Sequence, residues 1–70
     1  REELRQRLWA HLLELPTRQR EVLVLRRMAG LEIAEVAELL GLSESTVRVH
    51  GHAGREALRK RMSGMEGWAP

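Results

Sequence analysis

The sequence predicts an all-α domain of four short helices, on the strength of two observations. Apolar residues recur every three or four positions in four successive segments, which is the period of one face of an α-helix. Residues that end helices separate these segments: a Leu-Pro pair at 15–16, a glycine at 30 and a Gly-Leu-Ser turn at 41–43. A chain of 70 residues suffices for one small domain. We assign this domain to residues 1–62 and expect residues 63–70 to form a flexible tail.

A proline separates the first two predicted helices. The first spans about Glu2–Leu13. Its predicted apolar stripe consists of Leu4, Leu8, Trp9 and Leu12. It ends before Pro16 because the residue preceding a proline avoids helical angles, whereas proline itself suits the first turn of a helix. The second helix spans about Thr17–Ala29 and ends at Gly30. Its predicted buried residues are Val22, Leu25 and Met28.

The third and fourth predicted helices are joined by a tight turn. The third is short and spans about Glu32–Leu40. Its predicted inward-facing residues are Ile33, Val36, Ala37 and Leu40. Ser43 is a favourable N-cap, so we expect the fourth helix to begin at Glu44 and to continue to about Met62.

The charges are distributed unevenly along the chain, although the net charge is only +2. Residues 16–30 carry four arginines against one glutamate, and residues 43–62 carry five basic residues against two acidic ones. Residues 31–42 between them carry three glutamates and no base. The folded surface should therefore be polarised, as expected for a nucleic-acid-binding protein, although solvated helix faces explain such a pattern about equally well.

Composition excludes several classes of protein. The chain has no cysteine, which excludes disulfides and cysteine-based zinc sites and fits a cytoplasmic location. No apolar segment approaches the length of a membrane span, and no signal-peptide pattern is present. The first residue is Arg1, which suggests a piece of a longer protein.

Residues 33–50 carry the pattern of a helix-turn-helix, which we place at about 32–52. This motif needs a small residue where its two helices cross and a glycine that allows a left-handed turn, and Ala37 and Gly41 supply them. The apolar residues that would hold the two helices together are Val36, Leu40, Leu42 and Val47. A plain helical bundle would match one or two of these positions but not the whole set.

The fourth helix, at about 44–62, is then the predicted recognition helix. One narrow face would pack inward, and it consists of Val47, Gly51, Gly54 and Leu58. The interior glycines would be explained by the close approach of the backbone of another helix or of Trp9. The roughly opposite face consists of Ser45, Arg48, Val49 and His52. In this motif the beginning of the recognition helix enters the major groove of DNA.

The outward face offers suitable chemistry for base recognition. Arg48 can donate two hydrogen bonds to guanine, and Val49 can contact a thymine methyl group. Ser45 and His52 can hydrogen-bond base edges or phosphates, while Arg55 is better placed for phosphates. The basic residues at 59–61 are more simply explained as a solvated helix end that the helix dipole favours.

Neither catalysis nor metal binding is indicated. His50 and His52 are two positions apart and would diverge on a helix, and no cysteine or carboxylate cluster accompanies them or His11. A serine or histidine without a base and an orienting partner is not a catalytic site. We therefore predict a binding protein without enzymatic activity and without a cofactor.

Three segments resemble region 4 of bacterial extracytoplasmic-function (ECF) sigma factors. They are LPTRQREVLVLR at 15–26, GLEIAEVAELLGLSESTVR at 30–48 and GREALRKRM at 54–62. The resemblance implies a helix-turn-helix fold of the winged-helix-like superfamily without a wing. It also implies recognition of the promoter −35 element by a monomeric domain docked on the β-flap of RNA polymerase, and an anti-sigma factor as a further possible partner.

The resemblance also implies roles for individual residues. Arg48, Val49 and His52 would face the bases, and Arg26 would contact a phosphate. The sequence departs from the family at Val49, where a small polar residue is common, at His50, where arginine is common, and at Gly51, where a larger apolar residue is usual. These departures leave the base preference open, and a histidine at position 50 would supply a weaker phosphate contact than an arginine. The complete predicted DNA-binding set is Arg26, Ser45, Thr46, Arg48, Val49, His50, His52 and Arg55.

Two alternatives remain open at this point. The TVRVH string at 46–50 also resembles LuxR-type response-regulator output domains, which dimerise and bind two half-sites. The segments at 15–26 and 54–62 favour the sigma factor. The second alternative is a protein-interaction module that binds no DNA, which would be favoured if the basic face were buried against a partner.

Overall fold

The computed structural model describes residues 1–64, and in this part of the chain all regular secondary structure is helical, without a strand. The helices are α1 (Glu2–Glu14), α2 (Thr17–Leu23, continued by a π-helical turn at Val24–Met28), α3 (Ile33–Leu40) and α4 (Glu44–Met62). The predicted all-α class with four helices is confirmed. Most of the predicted tail, residues 65–70, lies outside the described residues.

The Leu-Pro pair separates α1 from α2 as the sequence predicted. Leu15 has an extended backbone (φ −74°, ψ 153°), and α2 begins one residue after Pro16. The guanidinium of Arg20 donates hydrogen bonds to the carbonyl oxygens of Leu13 (3.4 Å) and Leu15 (3.3 Å). These bonds help to satisfy carbonyl groups that the end of α1 leaves without a helical partner.

The π-helical turn was not predicted, and it corrects one buried position. The amide of Ala29 donates to the carbonyl of Val24, five residues earlier, at 3.1 Å, so this turn is wider than an α-helical one. The α-helical spacing that placed Met28 in the core therefore fails, and Met28 is 48% exposed. The helix ends, as expected, at Gly30, whose φ of +71° lies in the left-handed region.

The α3–turn–α4 unit has the local geometry of a helix-turn-helix. Gly41 ends α3 with φ +71° and ψ +34°, a conformation that costs glycine no steric penalty. The amide of Leu42 then donates to the carbonyl of Ala37 at 2.9 Å and closes the turn. The hydroxyl of Ser43 accepts a hydrogen bond from the amide of Thr46 at 3.1 Å, which confirms the predicted N-cap of α4.

The core consists of two clusters on opposite sides of α2. The first joins α1 to the C-terminal half of α4 and contains Leu12, Leu15, Leu23, Leu58 and Met62. The second joins α3 to the N-terminal half of α4 and contains Val22, Val36, Ala37 and Val47. The neighbouring residues Val22 and Leu23 thus belong to different clusters, and burial of Leu23 was missed because only one inward face was assigned to α2. Trp9 was placed on the apolar stripe of α1, but it is 45% exposed.

The two interior glycines of α4 lie where α2 crosses it. A Cβ atom at Gly51 would lie 3.3 Å from Cγ1 of Val22. A Cβ atom at Gly54 would lie 3.1 Å from Cδ1 of Leu23 and 3.3 Å from Cβ of Gln19. The neighbouring element is therefore another helix, as predicted, but the nearest atoms belong to side chains of α2 and not to its backbone or to Trp9.

Candidate nucleic-acid interface

The N-terminal half of α4 presents one face to solvent. Its exposed side chains include Ser45, Arg48, Val49 and His52. The other face of the helix is buried, from Val47 through Gly51 and Gly54 to Leu58 and Met62. The prediction that the first set faces away from the core agrees with the structure, while contact with DNA stays a prediction.

Thr46 and His50 are less accessible than the rest of the predicted set, since both are half-buried. The hydroxyl of Thr46 accepts a hydrogen bond from the hydroxyl of Ser43 at 2.8 Å. Thr46 is therefore part of the structure that begins α4, which limits its freedom to turn toward a ligand. The sequence alone did not separate this capping role from a binding role.

Arg26 fixes the segment between α2 and α3. Its guanidinium Nη1 donates to the carbonyl oxygen of Leu31 at 2.8 Å and lies 3.9 Å from a carboxylate oxygen of Glu32. The side chain remains 39% exposed, so the guanidinium has donors left for another ligand. Arg26 is thus held in a defined position beside the beginning of α3.

A basic groove runs between the π-helical turn and α4. Its charged and titratable lining residues are Arg26, Arg27, Arg48, His52 and Arg55. Its floor is formed by apolar residues of α2, α3 and α4, among them Val22, Ile33 and Val47. Among residues 1–64, no acidic side chain lines it. Four guanidinium groups along one concave surface create a positive potential that would attract a phosphate-bearing ligand.

Two of the groove arginines are free to bind such a ligand. Neither Arg27 nor Arg55 makes a hydrogen bond or an ion pair with any other residue in 1–64. Arg55 belongs to the predicted set, but Arg27 was missed. The adjacent pair Arg26-Arg27 was the only signal in the sequence, and the prediction of a regular α-helix gave no reason for both to face α4.

The basic C-terminal end of α4 is occupied by ion pairs within the protein. Arg59 donates to Glu56 at 2.9 Å, and Arg61 lies 3.4 Å from Glu14 of α1. The hydrogen bond from Arg59 and the charge of its guanidinium hold the pKa of the Glu56 carboxyl below its ordinary value. Arg59 thus fits the interpretation of residues 59–61 as a solvated helix end, whereas Arg61 connects that end to α1.

A second surface is apolar and lies on α1, α2 and α3. We call it the docking face, and it consists of Trp9, Leu13, Val24, Leu25, Leu39 and Leu40, with Arg20 and Glu21 beside them. Leu13 and Leu39 are 65% and 64% exposed, which is high for leucine. None of its residues comes from α4, so the docking face and the basic groove are separate surfaces.

The histidines do not form a metal site. His50 is half-buried, whereas His52 is exposed on the groove, as their spacing on α4 predicts. Within residues 1–64 no group of three or more His, Cys, Asp or Glu side chains is placed to hold a metal ion. In the same part of the chain, no helix combines the length and apolar character needed to cross a bilayer.

A short helix, a left-handed glycine turn and a longer helix with an exposed polar face define a helix-turn-helix domain. The model of the sigma-70 region 4 family matches residues 5–58, and the chain belongs to that family. The resemblance predicted from the three segments is thereby confirmed, together with the helix-turn-helix fold.

Curated relatives are ECF sigma factors. The chain is 41% identical over 51 residues to the ECF RNA polymerase sigma factor SigW of Bacillus subtilis, covering 73% of this chain and 27% of the relative. It is 45% identical over 53 residues to the ECF RNA polymerase sigma factor ShbA of Streptomyces griseus, covering 73% of this chain and 28% of the relative. The chain thus matches little more than a quarter of the length of these relatives. No solved structure shows significant similarity to it.

Proposed function

We propose that this chain recognises the −35 element of bacterial promoters as part of a cytoplasmic sigma factor that directs RNA polymerase to initiate transcription. The observation that carries the proposal is the basic groove beside the exposed face of α4. In this arrangement α4 would enter the major groove as a monomer, and the arginines of the groove would follow one phosphate strand. The role is binding, without catalysis and without a cofactor.

The groove and the outward face of α4 would contribute differently. Phosphate contacts supply affinity and fix orientation, whereas contacts to base edges supply specificity. Arg26, Arg27 and Arg55 lie along the groove and suit phosphates. Arg48 and Val49 lie in the first two turns of α4 and suit base edges, because those turns of a recognition helix reach deepest into the major groove.

The docking face is the proposed contact with the β-flap of RNA polymerase. Exposed apolar patches on small soluble domains commonly mark protein interaction sites. The docking face lies apart from the groove, so the domain can bind DNA and a protein at the same time. Attachment to polymerase would raise the effective concentration of the domain at the promoter, so the isolated chain needs only modest affinity for DNA.

Fluorescence anisotropy across a salt series tests DNA recognition. The chain is titrated against duplexes carrying a single −35-like site, an inverted repeat of half-sites, or a scrambled sequence. We expect a preference for the single site with one chain bound per duplex. Binding of two chains to the inverted repeat would instead support the LuxR-type alternative. Absence of DNA binding at low salt, even with a flap fragment present, would leave the interaction-module alternative.

Two arginine variants separate base recognition from phosphate binding. Arg48→Ala should weaken binding to the preferred site by about 1–3 kcal/mol and relax one base position. Arg26→Ala should weaken all duplexes about equally and reduce the slope of log affinity against log salt by about one. Equal behaviour of both variants on specific and scrambled duplexes would refute the assignment of α4 to the major groove.

A substitution on the docking face tests the flap contact. Leu39→Lys places a charge in the centre of the apolar patch, and we expect it to abolish binding to a purified flap fragment while DNA binding stays unchanged. Ala34→Lys is the matched control, because Ala34 is exposed on the same helix but lies outside the docking face. Undiminished flap binding by Leu39→Lys would contradict the proposed contact.

A further inference from the structure

The exposed face of α4 carries an acidic group beside its main candidate for base recognition. A carboxylate oxygen of Glu44 lies 3.5 Å from Nη2 of Arg48, one helical turn further along. Both side chains are more than half exposed, and Glu44 is the first residue of α4, at the end of the helix that would enter the major groove. Glu44 was not among the predicted DNA-binding residues, and sequence comparison assigns it no role.

A carboxylate in this position meets a restricted set of partners in DNA. Phosphates repel it, and most major-groove atoms are hydrogen-bond acceptors, which it cannot use. The amino groups of cytosine (N4) and adenine (N6) are the donors there, and cytosine N4 is the usual partner of glutamate because the adenine edge also carries an acceptor. One turn of α-helix advances 5.4 Å, which corresponds to one or two base pairs along the duplex.

We infer that Glu44 is a specificity-determining residue that selects a cytosine within two base pairs of the guanine bound by Arg48. This inference rests on the proposed recognition of DNA by α4. On the correct sequence, both members of the ion pair exchange their contact with each other for a base partner. On an incorrect sequence, Glu44 faces hydrogen-bond acceptors or a phosphate and finds no donor. The affinity of the complex for that sequence is therefore lower.

A second ion pair in the protein provides a reference for the alternative that Glu44 has a purely structural role. Acidic residues in the first turn favour a helix through its dipole, and pairs spaced four apart support it further. Glu3 and Arg7 form such a pair in the first turns of α1, at 3.4 Å. The two pairs share spacing and chemistry, but Glu3 lies on α1, whereas Glu44 begins α4 beside Arg48. Glu3→Gln is therefore the matched control for Glu44→Gln.

The test is selection of binding sites from a random duplex pool by the wild-type chain, Glu44→Gln and Glu3→Gln, followed by anisotropy titrations on each single-base variant of the selected site. We expect the wild type to prefer cytosine at one position by about tenfold, which is the lower end of the discrimination a good base contact provides. Glu44→Gln should lose most of that preference and bind scrambled DNA several-fold more tightly, because a repulsive charge is removed. Glu3→Gln should match the wild type in both measurements.

The outcomes separate this inference from the proposed function. A wild-type chain that selects a site, with an unchanged base profile in Glu44→Gln, overturns the role of Glu44 and leaves promoter recognition standing. A wild-type chain that selects no sequence overturns both. A thermal unfolding curve of each variant shows whether Glu44 acts only on helix stability, in which case the two glutamine variants lose similar stability and both retain the wild-type base profile.

Discussion

Gly54→Ala would probe the contact between α2 and α4 directly. Gly54 is buried in the middle of α4, where alanine would favour the helix by about 1 kcal/mol relative to glycine. The added methyl group opposes this gain. It would lie 3.1 Å from Cδ1 and 3.3 Å from Cγ of Leu23, and 3.3 Å from Cβ of Gln19. All three separations are shorter than ordinary carbon–carbon contacts.

We expect the steric cost of a methyl group at position 54 to exceed the gain in helix stability. The Leu23 side chain is buried in the first core cluster, but it also lines a small apolar pocket into which its end can shift. Cβ of Gln19 is attached to the backbone and moves only if α2 moves. Overpacking of this kind costs about 1–3 kcal/mol, and one unyielding neighbour, Cβ of Gln19, places it near the middle of that range. We therefore expect Gly54→Ala to lower the free energy of unfolding by about 1 kcal/mol after the helix gain is subtracted.

Gly51→Ala provides the comparison. A methyl group at position 51 would contact one atom, Cγ1 of Val22, at 3.3 Å. The steric cost of this contact and the gain in helix stability should therefore nearly cancel. Thermal unfolding followed by circular dichroism measures both variants, and for a domain of this size 1 kcal/mol corresponds to about 4–8 °C in Tm. A Tm for Gly54→Ala at or above that of the wild type would refute the packing argument, whatever Gly51→Ala does.

Three further predictions concern single side chains. Arg27→Ala should reduce the salt slope of DNA binding by about 0.9, as for one lost phosphate contact, whereas Arg5→Ala on α1 should leave it unchanged; equal slopes would exclude Arg27 from the interface. Ser43→Ala should lower the free energy of unfolding in urea by about 1 kcal/mol, and an unchanged midpoint would argue against the N-cap. The carboxyl of Glu56, followed by NMR, should titrate below its ordinary pKa and move upward in Arg59→Gln. Since the pKa of Glu56 is lower in the folded state, this ion pair stabilises the fold above the ordinary carboxyl pKa. The stabilisation is lost as the pH falls through the lowered pKa. A titration midpoint of Glu56 that is unaffected by Arg59→Gln would contradict the pairing.

The helix boundaries could be predicted from the sequence because they depend on residues at the boundaries themselves. Pro16, Gly30, Gly41 and Ser43 each impose or satisfy a backbone requirement at the place where they occur. The inward face of α4 was also predictable, since a regular α-helix fixes which residues share a face. These features depend on neighbours in the chain and not on distant contacts.

The positions that failed depend on departures from regular geometry or on three-dimensional packing. Met28 was placed in the core because α-helical spacing was extended through the π-helical turn, which no residue type announces. Leu23 is buried because α2 lies between two core clusters. The prediction assigned a single buried face to α2, and Leu23 does not belong to that face. Arg27 was missed because the π-helical turn changes which residues face α4.

The glycines of α4 connect packing with the proposed function. They cost helix stability, yet they let α2 lie close against α4, and α2 continues directly into the turn that carries Arg26 and Arg27. The basic groove exists because these arginines and those of α4 are held a fixed short distance apart. A larger residue at Gly54 would push α2 outward and widen the groove before it unfolded the domain. The loss of DNA affinity in Gly54→Ala should therefore persist at temperatures where the variant is fully folded.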